Sequence, residues 1–238
     1  MANFAVIDTE TAPTVDWGDG QAHPETSLVY DFGYIIANND GTILCERSFI
    51  VAETFFNDNL MKSAYYADKI PQYKAGMTTL WEVVPFIKAW QTFKEDCKQH
   101  GVKTIWAYNV LFDEICLNNT IKHYSKGFVR WFAPYGTKYR DIWTEVGYTI
   151  CNTKKYVKWA IEHGFVSSGK SGNPSTSAET VFRYMMKAPD YVECHTALED
   201  CRIELALLLK AKRQHKKTSK SKKQGWRPTA KLKKELYG

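Results

Sequence analysis

The segment FAVIDTET, residues 4 to 11, places Asp8 and Glu10 two positions apart at the end of an apolar run. Alternate residues of a strand point to one face, so both acids lie in the row that begins with Phe4 and Val6. Such a row is either where the strand surfaces or part of a cation site, and the pair alone leaves both open. Two further acids carry an inward-pointing pattern. Asp113 has Cys116 and Leu117 at i+3 and i+4 and Thr120 a turn beyond, which puts it on the apolar side of a helix over 112–123. Asp200 sits among Ala197, Ile203 and Leu207, while Leu198, Cys201, Leu205 and Leu208 fill the other side, so the helix over 196–212 is apolar nearly all round and buried. A buried carboxylate requires a cationic partner, a proton or a metal ion. Each acid alone could be structural, but no Lys or Arg in these motifs is placed to neutralise all four. Two divalent ions would do so. Oxygen-only ligation with open positions suits Mg²⁺ or Mn²⁺, and a pair of such ions about 4 Å apart supports in-line attack on a phosphodiester.

A general base completes that chemistry. In CHTALED, 194 to 200, Thr196 and Glu199 match the S/T-x-x-E capping box, which makes Thr196 the N-cap and leaves His195 just outside the helix. Five residues of unbroken helix would turn His195 about 140° away from Asp200, whereas a loop position frees the imidazole to approach it. A lone helix-end histidine is ordinarily a surface residue; beside a carboxylate cluster it is a base of near-neutral pKa.

The elements that must position these groups follow from periodicity. Residues 4–9, 29–37 and 44–51 read as strands, with a turn at Asn38 to Gly41, so the chain opens as an antiparallel meander. Helices are expected over 57–66, 79–99, 112–123, 154–163, 177–187 and 196–212, and a short strand over 104–108, while 141–150 is ambiguous. Three strands followed by alternating helices and strands predict a mixed α/β sheet. Residues 167–176 form a Ser/Gly loop ending in a second capping box, Thr176 with Glu179, and could close over a substrate.

The 44% hydrophobic residues, with 14 Tyr, 12 Phe and 8 Trp, exclude a disordered chain. The formal charge of +6 divides unevenly: from Arg213 onward ten Lys/Arg face one acid, a net +9, so residues 1–212 carry −3. Two units are expected, a catalytic domain over 1–212 and a basic, flexible tail over 213–238 in which Ala230 to Tyr237 could be helical. The tail suits a polyanion, in a salt-sensitive way, although a solvated extension has the same composition. Lys62, Tyr65, Tyr66, Lys69, Tyr73 and Lys74 interleave aromatic and basic groups, fit either for a single strand or for an ordinary helix and its surface. The six cysteines contain no C-x-x-C pair and read as reduced core thiols. No apolar run approaches the roughly 18 to 20 residues of a membrane span, so no membrane partner and a cytoplasmic location are expected.

Taken together the motifs resemble the DEDDh (DnaQ-like) 3′-to-5′ exonucleases of the ribonuclease H-like fold. Asp8, Glu10 and Thr11 match the family's D-x-E-T strand; Asn109, Phe112 and Asp113 in AYNVLFD match its second motif; His195, Ala197 and Asp200 match H-x-A-x-x-D. The resemblance covers roughly residues 4 to 212. It implies a central five-stranded mixed sheet, its first three strands antiparallel, flanked by helices. It implies two Mg²⁺ or Mn²⁺ ions, with Asp8 bridging them, Glu10 and Asp200 completing one site and Asp113 serving the other. His195 would deprotonate the attacking water, the Thr9 backbone and Thr11 side chain would hold the terminal nucleotide, and Phe112 would pack near the terminal base or support Asp113. The substrate would be a single-stranded DNA or RNA 3′ end, releasing nucleoside 5′-monophosphates, whether by a free enzyme or one partnered with a polymerase. LMKSAYYADKIPQYKAG and SAETVFRYMM resemble segments of bacteriophage-encoded exonucleases. A dinucleotide or short-oligonucleotide phosphodiesterase, and a non-catalytic nucleic-acid-binding module, are the competing classes; four mutually repelling acids disfavour the last.

Overall fold

β1 (Asn3–Pro13) continues through the acids, four residues past the expected end of the strand at residue 9. A computed structural model describes residues 3–15, 23–77, 79–167, 172–216, 218 and 228–238. β2 (Ser27–Ala37) and β3 (Ile43–Val51) follow antiparallel, as the opening meander predicts. Their turn is held by Asn38, whose side-chain oxygen accepts from the Asp40 and Thr42 amides, with Gly41 at φ +93°. Short helices α1 (Ala52–Phe55), α2 (Asp58–Met61) and α3 (Ile70–Gly76) precede β4 (Glu82–Val84) and α4 (Phe86–Gln99). β5 (Val102–Ala107) leads into α5 (Val110–Tyr124), and β6 (Lys138–Asp141) into α6 (Ile142–Val146), which runs on as a π turn over Gly147–Cys151. The ambiguous 141–150 segment is thus helical. α7 (Lys154–Glu162), α8 (Ala178–Met186), α9 (Ala197–Lys212) and α10 (Pro228–Tyr237) complete the order.

The sheet has six strands, in the order β4-β3-β2-β1-β5-β6, one more than the five expected. The extra strand is β4, inside the expected 79–99 helix: Val83 and Val84 pair in parallel with Ile50 and Val51, and Pro85 in extended geometry ends the strand and starts α4. β1 pairs in parallel with β5, and β5 with β6. Alternation along β1 divides the core. Ala5 and Ile7 pack beneath α4 and α5 with Phe32, Phe93 and Phe132, while Phe4 and Val6 face the other layer with Ile35, Val146, Tyr156 and Leu207. Each of these large apolar side chains contributes about 1.5–3 kcal/mol when fully buried, so α5 and α9 are clamped to opposite faces of the same strand. A third cluster, around Tyr30, Phe55, Met61 and Tyr73, roots the 52–77 segment on the sheet.

Two expected details differ. The helix after the Ser/Gly loop is capped by Ser177, whose side chain accepts from the Thr180 amide; Thr176 instead accepts from Trp143 Nε1, and Glu179 pairs with Arg183 at 2.9 Å. Of the cysteines, Cys194 is exposed and Cys45 half-buried, donating to Asp96, while the other four are buried; all six are free thiols. The loop's residues 168–171 lie outside the described set, but its ends meet at a Val166–Pro174 bridge. In the basic segment after α9, Lys216 donates to the Thr149 carbonyl, Thr218 bonds to Glu145, and Lys233 of α10 donates to the Gly172 carbonyl. Among the described residues no helix is long and apolar enough to cross a membrane.

Candidate active site

β1 delivers Asp8 and Glu10 on the face that α9 covers, because they continue the Phe4 and Val6 row. α9 can sit low there because Asp8 pairs across the ladder with Gly33: a Cβ at that glycine would lie 2.4 Å from both Ala197 C and Leu198 N. The close approach carries Asp200 to β1, and ligand oxygens of Asp8, Glu10 and Asp200 gather within 4.8 Å of one another. A second group, again within 4.8 Å, is formed by Glu193, His195 and Asp200. Asp113 belongs to neither group. It approaches from the α5 face, where Thr9, pointing opposite to Asp8, donates from Oγ1 to its Oδ1 at 2.9 Å. The β1–β2 register shifts between Glu10 and Thr11, a bulge directly beside the acids.

The electrostatics are those of crowded acids that Lys69 offsets only in part. Burial, then Asp200 and Glu204, raise Asp8 well above the ordinary carboxylate range; burial, then Asp200 and Asp31, do the same to Glu10. Burial pushes Asp200 to about 9, with neighbouring Glu193 adding to it, and Asp113 to about 7 despite the Thr9 hydrogen bond. Asp200 Oδ1 is buried with no hydrogen-bond partner. An orphaned carboxylate oxygen among acids on one side and an imidazole on the other fits a hard divalent cation of the Mg²⁺ or Mn²⁺ type.

His195 lies outside α9 as the spacing predicts, in the left-handed region at φ +50°. Its Nδ1 is 3.5 Å from Glu193 Oε2 and 3.2 Å from the Tyr66 hydroxyl oxygen, and the Tyr66 ring stacks on the imidazole at 4.6 Å. Burial, then Lys69, lower its pKa, which keeps the ring neutral near pH 7. The interleaved 62–74 segment is accordingly a support for this site: Tyr66 stacks on His195, Lys69 Nζ donates to the Cys194 carbonyl, and Tyr73 is buried with its hydroxyl donating to Asp31. Lys62, Tyr65 and Lys74 remain exposed.

Thr196 is the N-cap of α9, but its side chain makes no cap bond and Glu199 pairs outward with Arg202. Asp31 of β2 does the capping, accepting from the Ala197 amide at 3.0 Å and from Tyr73 at 2.7 Å. Burial raises Asp31 to about 6 against those hydrogen bonds. Four more buried acids escaped the sequence reading: Glu193; Glu204, which accepts from the Tyr108 amide and keeps Oε2 unpartnered; Asp141, which caps α6 through Thr144; and Asp96, away from the cluster. For Asp31 and Glu204 the signal was present, since each interrupts an apolar strand or helix face as Asp8 and Asp200 do. Of the remaining expected residues, Thr11 is half-buried at the bulge, Asn109 is exposed in left-handed conformation at φ 62° before α5, and Phe112 packs half-buried against the core under α5.

A mixed sheet whose central strand carries two acids, with further acids on helices packed against opposite faces, is the ribonuclease H-like fold. Within that fold the chain is similar to Exonuclease I. It matches E. coli Exonuclease I in complex with a dT13 oligonucleotide at TM-score 0.57 and 15% identity, covering 90% of this chain and 42% of that one. The moderately thermophilic Exonuclease I from Methylocaldum szegediense matches at 0.56 and 16%, covering 91% and 42%. An Exonuclease I complex with SSB-Ct matches at 0.52 and 17%, covering 90% and 42%. The chain therefore spans about two fifths of the length of these proteins, and the likeness is one of fold. No protein-family model and no curated protein sequence matches it.

Proposed function

We propose that the chain is a divalent-metal-dependent 3′-to-5′ exonuclease of the DEDDh kind, acting on single-stranded DNA or RNA and releasing nucleoside 5′-monophosphates. The observation that carries this reading is the gathering of Asp8, Glu10 and Asp200 within 4.8 Å, with a partnerless Asp200 oxygen and His195 alongside. Shared fold with a nuclease solved on dT13 supports it.

In this reading Asp8, Glu10 and Asp200 hold one ion, and Asp8 with Asp113 a second. When bound, Mg²⁺ or Mn²⁺ would supply a Lewis acid for the phosphate and charge neutralisation for the acids. The protein's own residues do the rest. His195 Nδ1 faces the Tyr66 hydroxyl at 3.2 Å and Glu193 Oε2 at 3.5 Å, which leaves the Nε2 lone pair to take the proton of the attacking water. Tyr66 holds the imidazole plane by stacking. Thr9 fixes Asp113, Thr11 and Asn109 line the approach of the terminal nucleotide, and Phe112 supports Asp113 from the core side. Residues 1–212 form the catalytic unit, and the basic segment 213–238 retains polyanionic substrate.

The test is release of mononucleotides from 5′-labelled single-stranded DNA and RNA, long and dinucleotide, with Mg²⁺ or Mn²⁺. The wild type is expected to shorten strands one residue at a time from the 3′ end, and Asp8→Ala to abolish this. Removing residues 213–238 is expected to raise KM on long strands in a salt-dependent way and leave the dinucleotide unchanged. Internal cleavage, or full activity in EDTA, would sink the assignment.

A further inference from the structure

Large aromatic side chains that remain outside a folded protein are uncommon in groups, and this chain has such a group in one loop. Between α5 and β6, Phe128 is 91%, Trp131 71% and Tyr135 fully exposed. The loop is not loose. Phe132 beside Trp131 is wholly buried and stacks on Phe93 at 5.1 Å; its amide accepts no slack either, donating to Asn118 Oδ1, while its carbonyl accepts from Trp90 Nε1. Tyr135 stands at the tip of a turn closed by the Thr137 amide on the Pro134 carbonyl, with Gly136 at φ +82°. Rings held out on such anchored backbone lose little freedom when something stacks on them.

Charge identifies the ligand. Residues 126–140 contain Lys126, Arg130, Lys138 and Arg140 and no acid, in a domain that is otherwise net negative. Trp131, Tyr135, Lys138 and Arg140 are among the residues that line a cavity of about 670 Å³, together with Glu114. Glu114 follows Asp113 in α5, and β6 ends on Asp141, whose charge reaches Asp113. Tyr139, another lining residue, feels the Asp113 charge and packs on the core cluster beneath α5, so the cavity lies on the α5 side of the sheet. Exposed rings for base faces and cations for phosphates are the two requirements of single-strand binding.

We infer that the 126–140 loop is a stacking platform for the single-stranded polynucleotide whose end enters the acid cluster, with bases on Trp131 and Tyr135 and phosphates on Lys138. The choice of ligand rests on the exonuclease reading. Duplexes are excluded, because their base faces are already stacked.

Binding without turnover separates this inference from the catalytic one. Fluorescence anisotropy of labelled dT and rU oligomers of about twelve nucleotides would be measured in EDTA, at about 0.2 M salt to screen the basic segment. Trp131→Ala/Tyr135→Ala is expected to weaken Kd about 30-fold, the low end for two lost base–aromatic stacks, and Trp131→Phe/Tyr135→Phe to stay within about threefold of wild type. Blunt duplex of equal length should bind weakly and alike to all three. Unchanged affinity in the alanine variant, an equal loss in the phenylalanine variant, or no oligomer binding by the wild type would overturn the platform; the first would assign the rings to a protein partner. Mononucleotide release by the wild type is read separately, so failed hydrolysis with intact ring-dependent binding would refute only the catalytic reading.

Discussion

Asp113 and Asp200 occupy equivalent places, each in the first turn of a helix packed on β1, yet their surroundings differ. Asp113 is satisfied by the protein, through Thr9, and rises to about 7. Asp200 has one oxygen with no partner, lies against Glu193, and rises to about 9. The α5 acid is satisfied by a hydrogen bond within the fold; the α9 acid keeps one oxygen for which no described residue is a partner. Hydrogen bonding can offset burial for one carboxylate, but a group of three acids on one face needs opposite charge.

The comparison can be broken most sharply by neutralising each acid in turn. Asp200→Asn and Asp113→Asn should both lower turnover by about a thousandfold or more, since each removes charge that the reaction requires. They should part company in stability. At pH 9 without metal, Asp200→Asn is expected to raise Tm by several degrees and Asp113→Asn by less, because the loss from Asp113 levels off near pH 7 while that from Asp200 continues to about pH 9. Equal shifts by differential scanning calorimetry would erase the distinction.

Proton linkage sharpens it next. Both folded pKa values lie above the ordinary carboxyl range, so between the two the native state binds more protons than the unfolded chain. Stability from these groups is present in full below about pH 4 and is lost as pH climbs through about 7 for Asp113 and about 9 for Asp200. Metal-free protein should thus lose about 5 to 10 °C in Tm between pH 5 and pH 8, and Mn²⁺ should recover more of it at pH 8 than at pH 5. A Tm that rises over that interval, with or without Mn²⁺, would contradict the crowded-acid picture.

The smallest effect is expected at Thr9. Thr9→Val deletes the bond to Asp113 and should cost about 1 kcal/mol, seen in urea unfolding as a shifted midpoint at constant slope. Activity should fall several-fold, well short of the loss from Asp113→Asn.

The inward placement of the acids was legible because each breaks an apolar period, and the position of His195 outside α9 because a capping pattern follows it. The opening meander and α9 were legible for the complementary reason, long unbroken patterns. What escaped depended on distant partners. β4 is three residues long and exists only through pairing with β3, so its sequence merged with the helix that follows. The cap of α9 comes from Asp31, 166 positions away, so the nearby Thr196 and Glu199 gave a plausible local answer that tertiary contacts displaced. Tyr66 and Lys69 fitted either a surface for substrate or an ordinary helix, because nothing in their own segment records that His195 lies beneath them.

Gly33 touches no reactant and carries no side chain, yet the clearance between β2 and the start of α9 is set there, where a single carbon would collide with main-chain atoms. A methyl at that position would act as a shim under the helix, shifting Asp200 relative to the acids of β1. Tolerance to substitution should therefore be as low at this hydrogen atom as at the charged groups it brings together.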